Sequence, residues 1–412
     1  MSGEGYLEAA VRLGREVAAA AIWSGERCSW VGGMPDEGPG GEIAMTYAAF
    51  GPELYGGTAG VGLVLAELAA AGEDAELWRT ALGALEQALE RAGEVAPSSR
   101  LGAYGGQLGV ALAAARAGSI LGEPKLSERA GGIVAGLDYR TEPLENDLIA
   151  GRAGGILALL ALQELGVEGA TLEQARELGE DLLAAADRGP AGWSWSSPSF
   201  PQQRNLTGLS HGAAGVGLAL LELSRATGDA VFGEAAEAAF AYERALFDPR
   251  ARNWPDLREM AADRGREVAP SCATLWCHGA PGIALARLRA CELGHRNGCE
   301  EEARVALETT VASIRNQIEG GNYSLCHGLA GNAEVVREAE ALLGQDAIVI
   351  ARSVGDAGIE RYLETDRLWP LGVYEGQTDS LMLGRAGVAY FYLRLHDPGR
   401  PSLLLLRPES FA

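Results

Sequence analysis

Positive charge, histidine and long apolar runs are all scarce in this chain of 412 residues. Lysine and arginine total 34 against 56 aspartates and glutamates, a formal charge of −22. That balance opposes nucleic acid and anionic membranes; it suits a cationic peptide, or solubility alone. No apolar run reaches the roughly 18 residues that a membrane span needs. No basic segment followed by an apolar one opens the chain, so no secretory signal is expected and the cytoplasm is the expected location. Six cysteines in such a chain read as thiols or metal ligands rather than a disulfide frame. Four of them, Cys28, Cys272, Cys291 and Cys299, have no partner pattern and read as incidental. Strand signals are few, and the segment 28–31 is the best minor candidate.

What the chain does have is a repeat. A Gly-x-x-Gly step followed by an apolar, helix-like run recurs with first glycines at Gly57, Gly106, Gly151, Gly212, Gly279, Gly328 and Gly384. The following segments, such as 61–66 and 216–221, are apolar nearly all round and predict buried helices. Between them lie amphipathic stretches rich in Glu, Arg and Ala, at 70–92, 125–137, 170–187, 231–247 and 301–318, which predict outer helices with one apolar face. The unit reads as outer helix, loop, glycine turn, inner helix. One unit cannot bury its own apolar face, so the units must stack, in a closed ring or an open solenoid. The glycines are expected to allow positive φ in the turn and close helix approach. Two longer connections, 188–208 with Trp193, Trp195 and Phe200, and 248–275 with Trp254 and a mixed-charge stretch, precede motif-bearing turns and are candidates for pocket walls.

Chemistry concentrates at three of the turns. Of five histidines, His211, His278 and His327 each sit directly before the first glycine of a step, and Cys277 and Cys326 precede two of them. Thiolate and imidazole together suit zinc. Cys277, Cys326 and His327 make a Cys2His set, typical of a catalytic zinc with one open position; adding His278 makes a closed Cys2His2 site, and both fit the ligand types. An open position with soft ligands would hold a substrate thiol as thiolate. His211 has no cysteine neighbour and reads as an acid–base group beside the metal. Asp147, four residues before Gly151, can orient that histidine or cap the third inner helix.

At these residues the sequence resembles the lanthionine synthetase C-like family, the cyclases of lanthipeptide biosynthesis. The marks are Thr-Gly-Leu-Ser-His-Gly-Ala-Ala-Gly at 207–215, Trp-Cys-His-Gly-Ala-Pro-Gly at 276–282 and Leu-Cys-His-Gly-Leu-Ala-Gly-Asn at 325–332, with likeness extending from Gly-Pro-Glu-Leu-Tyr-Gly-Gly at 51–57 to Leu-Gly-Arg-Ala-Gly at 383–387. The resemblance implies an all-α fold, an α/α toroid or double-layered barrel of seven helical-hairpin repeats, in one domain spanning 1–412. It implies one zinc ion on Cys277, Cys326 and His327, with His211 handling the proton, Asp147 supporting it, and His278 lining the pocket without ligating. The implied activity adds a cysteine thiolate to dehydroalanine or dehydrobutyrine in a dehydrated precursor peptide. No dehydratase-like or kinase-like region stands in these residues, so a separate dehydratase is the expected partner. Some members carry an arginine shortly before the first ligand cysteine; 271–275 has none here, and Arg204 is a candidate for that charge. Other readings are glutathione addition to dehydroamino acids in proteins, a zinc hydrolase or prenyltransferase, and a peptide-binding protein with a structural zinc. Two thiolate ligands argue against hydrolysis, and no basic cluster for a prenyl diphosphate is evident.

Overall fold

The computed structural model describes residues 3–37, 43–258, 270–373 and 376–411. After α1 (Gly3–Ala19) the chain alternates buried and surface helices. The pairs are α2 (Thr58–Gly72) with α3 (Ala75–Arg91), α4 (Gln107–Leu121) with α5 (Pro124–Gly136), α6 (Arg152–Glu164) with α7 (Leu172–Ala185), α8 (Ala213–Thr227) with α9 (Ala230–Ala245), and α10 (Ala280–Glu292) with α11 (Cys299–Gln317). Then α12 (Leu329–Glu338) pairs with α14 (Gln345–Gly358) across the short α13 (Glu340–Leu343). The last helix, α15 (Arg385–His396), packs on α1. The inner helix α2 buries every residue from Thr58 to Ala69, whereas outer α3 buries one face, including Leu77, Ala81, Leu85 and Ala88. All-round apolarity drives the first inward; a single apolar stripe leaves the second at the surface.

Each inner helix touches the next, and α15 touches α2, so the array closes into an α/α toroid. The repeat unit differs from the sequence reading in its order. The tight pair is an inner helix with the outer helix that follows it, because a short turn allows immediate antiparallel packing. The first outer helix therefore covers the last inner one. The strand signal at 28–31 falls in two hairpins, β1 (Ile22–Ser24) with β2 (Arg27–Ser29) and β3 (Val31–Glu37) with β4 (Ile43–Ala49); a third joins β5 (Asp187–Gly189) to β6 (Gly192–Ser194).

Backbone hydrogen bonds run around the mouth of the ring. Tyr55 N–H donates to Tyr104 O, Tyr104 to Ile149 O, Ile149 to Ser210 O, Ser210 to Cys277 O, Trp276 to Cys326 O, Cys326 to Met382 O and Met382 to Tyr55 O, at 2.9–3.3 Å. The acceptors all stand two residues before a first glycine. This collar brings to one circle residues spread over more than three hundred positions of sequence.

The glycines earn their places mostly by closeness. A Cβ on Gly331 would lie 1.7 Å from Leu325 O, and the second glycines of the other steps meet the same crossing carbonyl. Positive φ at the first glycine, expected throughout, is found only at Gly279 (φ 88°); Gly57, Gly106 and Gly212 are extended. At Gly279 the turn also forms a bridge with Thr274, which is why Trp276 rather than Cys277 donates in the collar there.

The opposite end of the ring is filled by the chain's last stretch. Leu403, Leu404, Leu405 and Leu406 are buried along the axis. The carbonyls of Leu403 and Leu404 accept from the Tyr104 hydroxyl and the Trp276 indole, each at 2.9 Å. Buried ion pairs ring this plug: Glu67 with Arg116 and Arg400, Glu222 with Arg289, and Glu334 with Arg394.

Candidate metal centre

The collar places Cys277 and Cys326 side by side, and His327 follows Cys326 into the mouth. The Sγ atoms of Cys277 and Cys326 and a ring nitrogen of His327 all lie within 4.8 Å of one another. Both cysteines are buried and His327 is partly exposed. These three residues could hold a metal ion. The Cys277 thiol is held well below its usual range, first by a hydrogen bond from Cys326 and then by His327, against the effect of burial. Burial, and then Cys277 itself, push Cys326 up. The two sulfurs thus favour holding one proton between them, which a bound cation would release.

His278 is not part of this group. Its side chain is 1 % exposed, and neither ring nitrogen has a hydrogen-bond partner. Its ring stacks on that of His211, centroids 6.0 Å apart, with Asp256 at 3.9 Å. Burial first, then the charges of Arg258 and His211, push its pKa down to about 4, so it is a neutral imidazole.

His211 Nδ1 meets Asp147 Oδ2 at 2.6 Å. Burial lowers the His211 pKa, but the charge of Asp147 and this hydrogen bond outweigh it, and the value stands above the usual one. The His211 side chain nevertheless keeps 38 % of its surface open to the mouth. The other Asp147 oxygen accepts from Ala150 N at 2.7 Å. Asp147 thus meets the histidine, as one reading of its position had it, but does not cap α6, whose N-cap is Gly151 with no side-chain cap bond; its second oxygen braces the turn ahead of the helix instead.

Three residues at this site escaped sequence reasoning. Tyr55 stands close enough to Cys326 for each to bear on the other's proton. Its signal was available: Tyr55 precedes Gly57 by two residues, as the two cysteines precede their glycines. Arg258 and Asp256 come from the 248–275 connection and have no place in the repeat. Arg258 Nε and Nη2 grip the two Asp256 oxygens at 3.0 and 2.6 Å. The Arg258 charge bears on both cysteines and both mouth histidines. Arg204, the candidate read from the sequence for a positive charge near the site, is exposed and stands in the wall of the neighbouring cavity together with Arg258. The mixed-charge stretch 259–269 lies outside the described residues.

A cavity of about 350 Å³ opens beside His211, walled by Asp147, Trp195, Phe200, Arg204 and Arg258. Both connections singled out in the sequence thus contribute walls. No helix among the described residues is long and apolar enough to cross a membrane.

The family model described as lanthionine synthetase C-like protein matches residues 49–405. Among solved structures the chain is similar to nisin cyclase, with a TM-score of 0.62 and 17% identity over 87% of this chain and 91% of that one. It is also similar to a GH76 alpha-mannanase from Bacteroides thetaiotaomicron, with a TM-score of 0.53 and 11% identity over 96% of each chain. At such identities these likenesses concern the fold, and two differently named enzymes share it, so function must be argued from the site.

Proposed function

The chain belongs to the lanthionine synthetase C-like family, and from that premise we propose that it is a zinc-dependent lanthipeptide cyclase. It would join a cysteine of a dehydrated precursor peptide to a dehydroalanine or dehydrobutyrine of the same peptide, forming a lanthionine or methyllanthionine thioether ring. The observation that carries this reading is the meeting of two thiols and an imidazole within 4.8 Å, beside a histidine already gripped by a carboxylate. The whole chain is proposed as one domain, because α1 lies outside the matched stretch yet covers α15.

Cys277, Cys326 and His327 would hold one zinc ion. Ligands of a tetrahedral zinc stand roughly 3.3–3.8 Å apart at the usual bond lengths, so the observed cluster needs little gathering. Zinc bound there would supply the charge that lowers the pKa of an incoming thiol. Asp147 fixes the proton of His211 on Nδ1 and leaves Nε2 free to exchange one. His211 takes the proton of the substrate thiol as the sulfur bonds to the alkene β-carbon, and returns it to the α-carbon. The net change is an isomerisation that needs no other reactant. His278, neutral and buried, backs the His211 ring at 6.0 Å without ligating and is not among the residues that line the cavity.

The free state of all six cysteines suits a reducing cytoplasm. A separate dehydratase would supply the alkenes. The test incubates the metal-loaded chain with a dehydrated peptide and counts free thiols by alkylation and mass. Rings should form without mass change, and Cys326→Ala should lose both metal and cyclisation. Cyclisation by that variant above the uncatalysed rate would sink the reading.

A further inference from the structure

The cavity beside His211 neighbours the sulfur cluster without being walled by it. His211 and Arg258 line the cavity, and both feel the charge of Cys277. Among the described residues, none of Cys277, Cys326 and His327 lines it. Resting on the cyclase reading above, we propose that this cavity receives the alkene-bearing residue of the peptide, and that Arg258 at its edge donates to that residue's amide oxygen while the sulfur adds.

The chemistry requires two places. The thiol belongs at the cluster, while the α-carbon must come within reach of His211, which protonates it. As the carbon–sulfur bond forms, the alkene electron pair moves toward the amide oxygen and makes an enolate; the pair returns when the α-carbon takes its proton. A fixed donor at that oxygen favours the enolate over the neutral alkene. Arg258 meets the requirement. Its two-pronged contact with Asp256 engages Nε and Nη2, and among the described residues the Nη1 edge of the guanidinium is left for another acceptor.

The residues leading into Arg258, 253–256, are pinned. Asp256 N–H donates to Ser271 O at 2.7 Å, the Thr207 hydroxyl donates to Pro255 O, and Asn253 Oδ1 accepts from Ala280 N at 2.7 Å, at the start of α10. Such a donor is held in place before the charge develops. The far wall is likewise fixed: Trp195 Nε1 donates to Leu182 O at 2.8 Å and Ser199 N to Glu145 Oε1 at 3.1 Å. Phe200, next to Ser199 in the same wall, leaves 65% of its surface open, an apolar face for a peptide residue next to the alkene.

Two variants and two probe peptides test the proposal. Arg258→Gln should lower kcat for cyclisation by ~10²-fold, with bound zinc and far-UV circular dichroism unchanged, and Arg258→Lys should recover part of the loss. Phe200→Ala should weaken binding of a cysteine-free dehydrated peptide by ~5-fold or more, and leave unchanged the binding of the undehydrated peptide that keeps its cysteine. A kcat for Arg258→Gln within twofold of the parent, or an equal loss for both peptides with Phe200→Ala, would overturn it. A parent chain that forms no rings would instead remove the cyclase reading itself.

Discussion

At the scale of single residues the site is a set of paired charges. Burial alone would strip His211 of its proton; the Asp147 carboxylate and its 2.6 Å contact keep it. Because the folded pKa is raised, this pairing stabilises the fold fully below the ordinary histidine pKa, and the stabilisation is lost as pH rises through the raised value. Asp147→Asn removes the charge and leaves burial in command, so His211 should lose its proton at lower pH than in the parent. The acidic limb of the pH–rate profile, below which His211 is already protonated and cannot take the thiol proton, should move down, and the neutral-pH rate fall ~10²-fold as the ring loses its orientation. A limb that stays put would assign Asp147 to the Ala150 turn alone. The donor residues were legible because cysteine and histidine are rare and recur at one turn position. Arg258 was not, because arginine is common and its neighbours in space are far away in sequence. Tyr55 was overlooked because a tyrosine before Gly-Gly carries no metal chemistry of its own; only the collar, which aligns it with Cys277 and Cys326, gives it meaning.

At the scale of elements, sequence periodicity located the outer helices to within a few residues: 125–137 was expected where α5 runs Pro124–Gly136, and 301–318 where α11 runs Cys299–Gln317. The stretch 70–92 was read as one helix. In the structure the chain breaks at Glu73, in the left-handed region (φ 49°), and restarts where the Asp74 side chain accepts from Glu76 N and Leu77 N. Asp74→Ala should therefore cost about 1 kcal/mol, read as a lower denaturant midpoint at unchanged slope. A larger penalty belongs to the glycine steps. Gly331→Ala sets a methyl against the Leu325 backbone, 1.7 Å from its carbonyl oxygen, inside the turn that carries Cys326, and backbone cannot swing aside as a side chain can. It should destabilise by about 3 kcal/mol or more and weaken zinc retention as well. Gly132, with nothing within 4 Å of an added Cβ, serves as the control, and Gly132→Ala should be tolerated.

At the scale of the whole molecule, what decides the behaviour is closure, which spacing alone left open between ring and solenoid. An open array has a terminal unit that touches one neighbour and frays first. Here α1 buries Tyr6, Ala9, Ala10, Leu13 and Val17, and packs on α15 from the other end of the chain. The Tyr6 hydroxyl donates to Asp356 at 2.7 Å, its ring lies 6.3 Å from that of Tyr392, and His396 Nδ1 meets Gly3 O at 3.0 Å. A residue near the N-terminus is thus as interior as one in the middle: Leu13 and Leu218 are 0 % and 1 % exposed. Leu13→Ala should cost about 2–5 kcal/mol, the same range as Leu218→Ala in α8. Both variants should melt in one transition, coincident by circular dichroism and tryptophan fluorescence. A terminal unit of an open array would behave otherwise: Leu13→Ala would split off an early, partial transition and leave the main one where it was. The catalytic mouth adds a second readout of the same property. Met382, Tyr55 and Cys326 are consecutive members of the collar, and Met382 lies just ahead of α15. Loosening α1 should therefore lower zinc affinity at a site that α1 does not line, whereas zinc affinity equal to the parent's would separate closure from the metal centre.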